Sequence, residues 1–243
     1  VFNMSSNLAI KLRAGTQKAH TAAENAGFTK CFLKGVVDRG CFAKFLGNLY
    51  FVYSELEAAL QQHREHPFIK PLNFPELNRT ANLEKDLEFY YGQDWKKQIA
   101  LLPAAQTYIN RIREIAAAEP VLLLAHCYTR YMGDLSGGQM FQKIAQNALK
   151  LEGYQGTSFY QFEQIPDKNA FKDKYRQALN ALPLDDATAD RVVAEANYAF
   201  HLNNLAAQDM EGSLIQAIGQ VMYNSLIRSH NQGSTEEVKS AKC

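Results

Sequence analysis

Proline and glycine are both scarce in this sequence of 243 residues, which contains 7 and 14 of them. Average proteins contain roughly 5% and 7% of these residues. Because proline and glycine end helices and form turns, their scarcity favours long helices and argues against a turn-rich β-sandwich. The length is ample for one large buried core.

Cysteine is also sparse, with four residues and no CxxC spacing. This pattern excludes a disulfide-based scaffold and favours a reducing compartment. No stretch reaches the roughly 18 apolar residues that a membrane-spanning helix needs. The 26 basic and 25 acidic residues nearly cancel, so non-specific nucleic-acid binding, which depends on a basic excess, is not expected.

Apolar residues recur at helical spacing along most of the chain. They predict helices at about 7–26, 38–64 and 82–91, two helices that open at Pro103 and Pro120, and helices at 169–182 and 185–210. The helix from Pro120 is expected to run to about 151 with interruptions, and a last helical stretch to end near 228. We therefore predict an all-α single domain at 7–228, with a flexible terminus at 1–6 and a disordered tail at 229–243.

Three glycines interrupt one predicted helix, in residues 128–139 (YTRYMGDLSGGQ). Gly133, Gly137 and Gly138 each cost a helix roughly 1 kcal/mol relative to alanine. They permit a kink and the close approach of a flat ligand, although tight helix packing explains glycines equally well. A phosphate-binding loop is excluded, since no strand precedes the run and no GK[ST] follows. Asp134 shares a face with Arg130 and Gly138, where a carboxylate can hold water beside a ligand.

A second signal is His20, which Glu24 follows four residues later. An imidazole that binds a metal commonly has its other nitrogen oriented by a carboxylate. Arg13 lies almost above His20 on a helix and can reach an anionic group of the same ligand. Lys172 and Arg176 are four residues apart and can clamp carboxylates. Taken separately, such residues are more often structural or solvated.

Together these segments resemble the heme oxygenase family. Further similar stretches are residues 18–25 (KAHTAAEN), 47–53 (GNLYFVY), 74–77 (FPEL), 87–92 (LEFYYG) and 119–126 (EPVLLLAH). The resemblance implies a helical fold in which heme b lies between a proximal helix and a kinked distal helix that carries the three glycines. It also implies cleavage of heme to biliverdin, carbon monoxide and ferrous iron by dioxygen and external electrons. Heme is then both substrate and oxygen-activating cofactor, without a bound flavin or nicotinamide.

The resemblance assigns roles to individual residues. His20 is expected to be the axial iron ligand, with Glu24 beside it, and Asp134 to order a water that delivers a proton. The other expected site residues are Tyr53, Tyr108 and Arg130 in a distal hydrogen-bond network, Phe200 and Asn203 on the distal pocket wall, and Arg13, Tyr128, Lys172 and Arg176 at the heme propionates. Arg13 stands where some family members have lysine. His126 has no matching ligand role and is interpreted as structural or surface.

The resemblance is strongest to the soluble cyanobacterial and plastid branch. It implies a monomer in the cytoplasm or chloroplast stroma, reduced ferredoxin as electron donor, and a downstream bilin reductase in phycobilin synthesis. A basic patch is the expected ferredoxin docking surface, formed by Lys11, Lys18, Lys30, Lys34, Arg39, Lys172, Lys174 and Arg176.

Three alternatives remain open. One is a heme carrier or sensor of the same fold, which does not turn heme over. Another is a helical thiamine-degrading enzyme, which requires a cysteine nucleophile in its pocket. A purely structural helical bundle leaves the three glycines unexplained.

Overall fold

The computed structural model describes residues 7–228 of the chain. Within this range the protein is helical and contains no strand, which confirms the prediction of an all-α fold. The terminus predicted at 1–6 and the tail predicted at 229–243 lie outside the described residues. None of the described helices is both long and apolar enough to cross a membrane.

The α-helices of this range follow one another with short connections. In chain order they are α1 (Leu8–Gly15), α2 (Gln17–Glu24), α3 (Gly27–Leu33), α4 (Arg39–Gln62), α5 (Thr80–Tyr91), α6 (Trp95–Gln98), α7 (Pro103–Ala118), α8 (Leu123–Cys127), α9 (Gly133–Ser136), α10 (Gly138–Leu149), α11 (Lys168–Asn180), α12 (Asp186–Ile218) and α13 (Gln220–Ile227). Short 3₁₀ turns occur at Lys70–Leu72, Pro75–Leu77, Pro120–Leu122 and Ser158–Tyr160, and a π-helical turn spans Tyr128–Met132.

The single N-terminal helix predicted at 7–26 is wrong, because the chain breaks at Thr16. Its hydroxyl donates to the carbonyl of Leu12 at 2.7 Å, and its backbone leaves helical geometry. Serine and threonine often offer the backbone such a local alternative to the helix. The break separates α1 from α2, the short helix that carries His20.

Helix α4 begins and packs as the sequence predicts. The Asp38 carboxylate accepts from the backbone N–H of Cys41 at 2.8 Å, a helix cap that typically contributes about 1 kcal/mol. The buried face includes Phe42, Leu46 and Tyr53 and packs against α5 and α7. Helix α4 therefore fixes Tyr53 in the protein core.

The helix predicted from Pro120 is interrupted, as expected, although the π-helical turn before the glycines was not predicted. Such turns are frequent at functional sites. Helix α12 extends well beyond the predicted end at 210, because buried Leu214 continues its apolar face past Gly212. It ends at Gly219, whose φ of 87° favours glycine. Helices α3 and α6 and the 3₁₀ turn at Ser158–Tyr160 were missed as well.

Two hydrophobic clusters form the core. The larger one includes side chains from α1, α4, α5, α7 and α12. The smaller one joins α3 to the C-terminal part of α12 and to α13, through residues that include Phe28, Met210 and Tyr223. A cavity lies between the clusters and takes wall residues from both.

Candidate functional site

The cavity has a volume of about 170 Å³, and its lining is typical of a small-molecule site. Helices α2, α3, α4, α7 and α12 supply most of its walls. The lining is mainly apolar, with the polar side chains Asn48, Tyr108, Arg130, Asn203 and Asp209 among its members. A flat, largely apolar ligand with a few polar contacts suits such a space.

Helix α2 brings His20 to one side of this region, and Ala23 of the same helix lines the cavity. The His20 side chain is 42% exposed, and its Nδ1 lies 3.8 Å from Glu24 Oε1. This nitrogen is buried and has no hydrogen-bond partner. Because Nδ1 faces Glu24, Nε2 points away from the carboxylate, as a metal-binding imidazole requires.

The His20 ring also contacts Phe200 of α12, edge to face, with 5.8 Å between ring centroids. Asn203, one turn further along α12, lines the cavity and contacts Arg130. The two residues predicted on the distal wall therefore have different surroundings. Phe200 packs against His20, the histidine expected on the proximal side, whereas Asn203 contacts Arg130, which is expected on the distal side.

A buried hydrogen-bond network joins four predicted distal residues from different parts of the chain. Tyr53 donates to Asp134 Oδ2, and Arg130 Nε donates to the Tyr53 hydroxyl at 3.0 Å. Arg130 Nη1 donates to Asn203 Oδ1 at 2.8 Å. The π-helical turn supplies Arg130 and α9 supplies Asp134, so the interrupted helix brings both to the tyrosine of α4.

The electrostatics of this network keep the tyrosine protonated. Burial holds the pKa of Tyr53 well above its ordinary value, so its hydroxyl remains a donor to Asp134. Burial also raises the pKa of Asp134, while Arg130, the Tyr53 hydrogen bond and Arg79 act in the opposite direction. The result is a buried carboxyl group that the Tyr53 hydrogen bond and two nearby guanidinium charges stabilise.

Tyr108 lines the same cavity but belongs to a second chain of hydrogen bonds. Its hydroxyl lies 3.2 Å from His126 Nδ1, and His126 Nε2 lies 2.8 Å from Glu195 Oε1. Arg111 Nε and Nη2 donate to Glu195 at 3.0 and 2.6 Å. Sequence reasoning missed Glu195 and assigned no functional role to His126. The one available signal was a histidine at the end of the apolar run at 121–125, where a buried imidazole needs partners.

The three glycines occupy different environments. A Cβ on Gly133 meets no atom within 4 Å, and a Cβ on Gly137 makes only ordinary contacts with Gly133 and Phe141. A Cβ on Gly138 lies 3.3 Å from Tyr160 Cδ1. Tight packing therefore explains Gly138, whereas Gly133 leaves an open surface that packing does not require.

Two of the four residues predicted to bind the propionates, Arg13 and Arg176, interact electrostatically with a third, Tyr128. Burial raises the pKa of Tyr128, and the charges of Arg176 and Arg13 partly offset this rise, so both guanidinium groups act on the phenol. Arg13 and Arg176 are exposed and Lys172 is half-buried. Arg176 Nη1 also contacts Asp173 Oδ1 at 2.8 Å, a partner that competes with any bound carboxylate.

Several cations of the predicted basic patch already have partners within the protein. Lys11 Nζ lies 2.7 Å from Asp186 and 3.5 Å from Asp190. Lys34 donates to the carbonyl of Leu226. Elsewhere in the set, Arg39 stacks on Phe89 and Tyr90, and Lys174 Nζ lies 4.8 Å from the centre of the Phe74 ring. Lys18 remains an exposed cation of this group on α2.

The three cysteines of the described range are buried and do not suit nucleophilic chemistry. Burial raises the pKa of the Cys127 thiol to about 12, and burial and Asp38 raise that of Cys41 to about 12. A thiol reacts as its thiolate. None of the three cysteines in the described range lines the cavity, which argues against the thiamine-degrading alternative.

Comparisons with known proteins agree with this geometry. A family model for heme oxygenase matches residues 6–209. Heme oxygenase 1 of Nostoc is 54% identical over 233 residues, which cover 96% of this chain and 98% of that protein. The crystal structure of Synechocystis heme oxygenase-2 in complex with heme and NO has a TM-score of 0.93 and 52% identity, covering 95% of this chain and 96% of that one. The structure of Synechocystis heme oxygenase-1 in complex with heme has a TM-score of 0.86 and 54% identity, covering 90% of this chain and 99% of that one.

Proposed function

The chain belongs to the heme oxygenase family, and we propose that it cleaves heme b to biliverdin, carbon monoxide and ferrous iron, using dioxygen and electrons from reduced ferredoxin. The observation that carries this proposal is the buried network of Asp134, Tyr53, Arg130 and Asn203, which reaches a cavity next to the His20 helix. When bound, heme supplies the iron that activates dioxygen and the ring that is cleaved.

His20 is the proposed iron ligand. Its buried Nδ1 lacks a hydrogen-bond partner and faces Glu24 at 3.8 Å, so a small movement creates the hydrogen bond that orients a ligating imidazole. Phe200 supports the ring from α12. These features fit a heme held through Nε2 of His20.

Asp134 is proposed to order the water that delivers protons to the reaction. Tyr53 donates to Oδ2 of its carboxylate, so Oδ1 is the oxygen assigned to the water. Arg130 holds Tyr53 in place from the other side. Gly133 and Gly137 have no side chain above the helix backbone, so that a flat ligand can approach it closely.

Arg13, Tyr128, Lys172 and Arg176 are proposed to bind the heme propionates. A hydrogen bond to a charged group contributes roughly 1.5–3 kcal/mol. Heme can rotate about the bond between iron and histidine, so these contacts set the angle of the ring and thereby the carbon that is attacked. The α isomer of biliverdin is the expected product.

The electron donor is proposed to dock near these basic residues. Ferredoxin is a small acidic protein, and opposite charges accelerate such encounters. The ion pairs of Lys11 shift the proposed contact toward Lys18, Arg13, Lys172 and Arg176. We further propose a monomer in the cytoplasm or chloroplast stroma, whose biliverdin is consumed by a bilin reductase in phycobilin synthesis.

The decisive experiment is aerobic turnover of the purified chain with hemin and reduced ferredoxin. Loss of the Soret band and chromatographic detection of biliverdin support the proposal. A Soret band that persists under these conditions instead supports the heme carrier or sensor. His20→Ala serves as the control variant, because it should lose the imidazole-ligated spectrum and the turnover, with partial recovery of both on addition of imidazole.

A further inference from the structure

Tyr108 is a polar residue of the cavity wall whose hydroxyl forms a hydrogen bond with a buried histidine. It is 2% exposed, and its hydroxyl meets the fully buried His126 at 3.2 Å. His126 in turn meets Glu195, which Arg111 clamps with two hydrogen bonds. These contacts link α7, α8 and α12 behind the cavity, and the proposed function so far gives His126 and Glu195 no role.

The chemistry of the partners determines where the hydrogens lie. Arginine can only donate, and an ionised carboxylate can only accept. Burial alone raises the pKa of Glu195, but the hydrogen bonds from His126 and Arg111 and the charge of the Arg111 guanidinium hold it below its ordinary value, so the group is a carboxylate at neutral pH. His126 Nε2 must therefore carry a hydrogen to donate to Glu195.

Arg111 already balances the charge of Glu195, and a second cation at the fully buried His126 would be costly without another carboxylate. We therefore take His126 as a neutral imidazole, and with its hydrogen on Nε2 its Nδ1 is an acceptor. The hydroxyl of Tyr108 must then donate to Nδ1, because two acceptors cannot form a hydrogen bond. This commits the one hydroxyl hydrogen of Tyr108 to the protein interior. In any further hydrogen bond the Tyr108 oxygen can therefore only accept.

Tyr53 shows the same direction of hydrogen bonding. It donates to Asp134 and accepts from Arg130. Both tyrosines thus donate their hydroxyl hydrogen to a buried acceptor. The hydrogen bonds of Tyr53 lead to the carboxylate of Asp134, and those of Tyr108 lead through His126 to the carboxylate of Glu195.

We propose that His126 and Glu195 are positioning residues that hold Tyr108 as a hydrogen-bond acceptor at the cavity wall. A water beside Tyr108 then donates one hydrogen to the tyrosine and turns its other hydrogen towards the substrate. The functional part of this inference rests on the proposed heme oxygenase activity, whereas the hydrogen positions do not.

The hydrogen positions can be measured without heme by ¹⁵N NMR of histidine-labelled protein. The expected His126 spectrum has an acceptor-type Nδ1 and a hydrogen-bearing Nε2. Glu195→Gln removes the anion and should weaken this preference, whereas Glu114→Gln, which alters only an exposed partner of Arg111, should leave the spectrum unchanged. A wild-type spectrum with hydrogens on both nitrogens, or on Nδ1 alone, overturns the proposal, because Tyr108 would then accept from His126.

The functional arm compares two replacements of His126. His126→Leu removes the nitrogen that accepts from Tyr108. The amount of biliverdin formed per electron should then fall by roughly twofold to tenfold, which corresponds to the net contribution of one hydrogen bond. His126→Asn offers an amide oxygen near the Nδ1 position and should recover part of this loss. Tyr108→Phe should cause a similar loss, and Tyr108→Phe combined with His126→Leu should be no worse than either alone, since both act through one hydroxyl.

Equal defects in His126→Leu and His126→Asn, or additive losses in the double variant, overturn the positioning role. If His126→Leu does not fold, the NMR result for Glu195→Gln and the yield of His126→Asn still decide the matter. Failure of the wild-type protein to form biliverdin would instead count against the proposed function, and the NMR measurement would remain valid.

Discussion

Gly133→Ala should make the protein more stable and less active, which separates a ligand-facing glycine from one needed for packing. Gly133 has helical backbone angles of φ −64° and ψ −48°, so alanine fits without strain. An added Cβ meets no atom within 4 Å. Alanine is favoured over glycine in a helix by roughly 1 kcal/mol, which corresponds to a rise in melting temperature of about 2–4 °C for a domain of this size.

The expected loss of function has a different cause. The methyl group added by this substitution would extend into the open surface at which the heme is proposed to lie. We expect weaker hemin binding and a lower yield of biliverdin per electron, while melting of the heme-free protein moves upwards. Thermal unfolding followed by circular dichroism, hemin titration and turnover with product chromatography measure the three effects.

Gly138→Ala is the matched control from the same run of residues. Its Cβ would approach Tyr160 Cδ1 to 3.3 Å, so the gain in helix propensity is offset by crowding, which typically costs about 1–3 kcal/mol. This variant should therefore gain no stability. A Gly133→Ala protein with unchanged hemin affinity and unchanged biliverdin yield would refute our assignment of the open surface to the ligand.

The remaining predictions concern the proton, the propionates and the electron donor. Asp134→Asn should still bind heme with the histidine-ligated spectrum but form less biliverdin per electron, and a normal yield contradicts the proposed water. Replacing Lys172 and Arg176 together by alanine should produce mixed biliverdin isomers on chromatography, whereas a single unchanged isomer excludes the clamp. Ferredoxin-driven turnover should fall between about 0.1 and 1 M salt, as the Debye length decreases from about 10 to 3 Å, while ascorbate-driven turnover changes little. Lys18→Glu should mimic high salt more strongly than Lys11→Glu, because Asp186 and Asp190 already balance Lys11. A flat salt response excludes this docking surface.

Apolar spacing and helix-end signals predicted the secondary structure correctly where it depends on residues within the same segment. Apolar spacing predicted the extent of α4, the first-turn proline at Pro103 predicted the start of α7, and the glycine-rich run predicted an interrupted helix. The same rules failed at Thr16 and Gly212. At Thr16 a side-chain hydrogen bond ended α1, and at Gly212 the burial of Leu214 carried α12 through a weak helix former.

The sequence by itself determined the fold class and the set of residue types available for the site. Only the tertiary structure decided which of them meet. Glu195 lies 69 positions from His126 along the chain, and no periodicity connects them. Gly133 and Gly138 look equivalent in the sequence, yet one faces open space and the other faces Tyr160. The reason is physical: helix propensity and capping depend on neighbours within a turn or two, whereas the direction of a side chain and its buried partners depend on how distant helices pack.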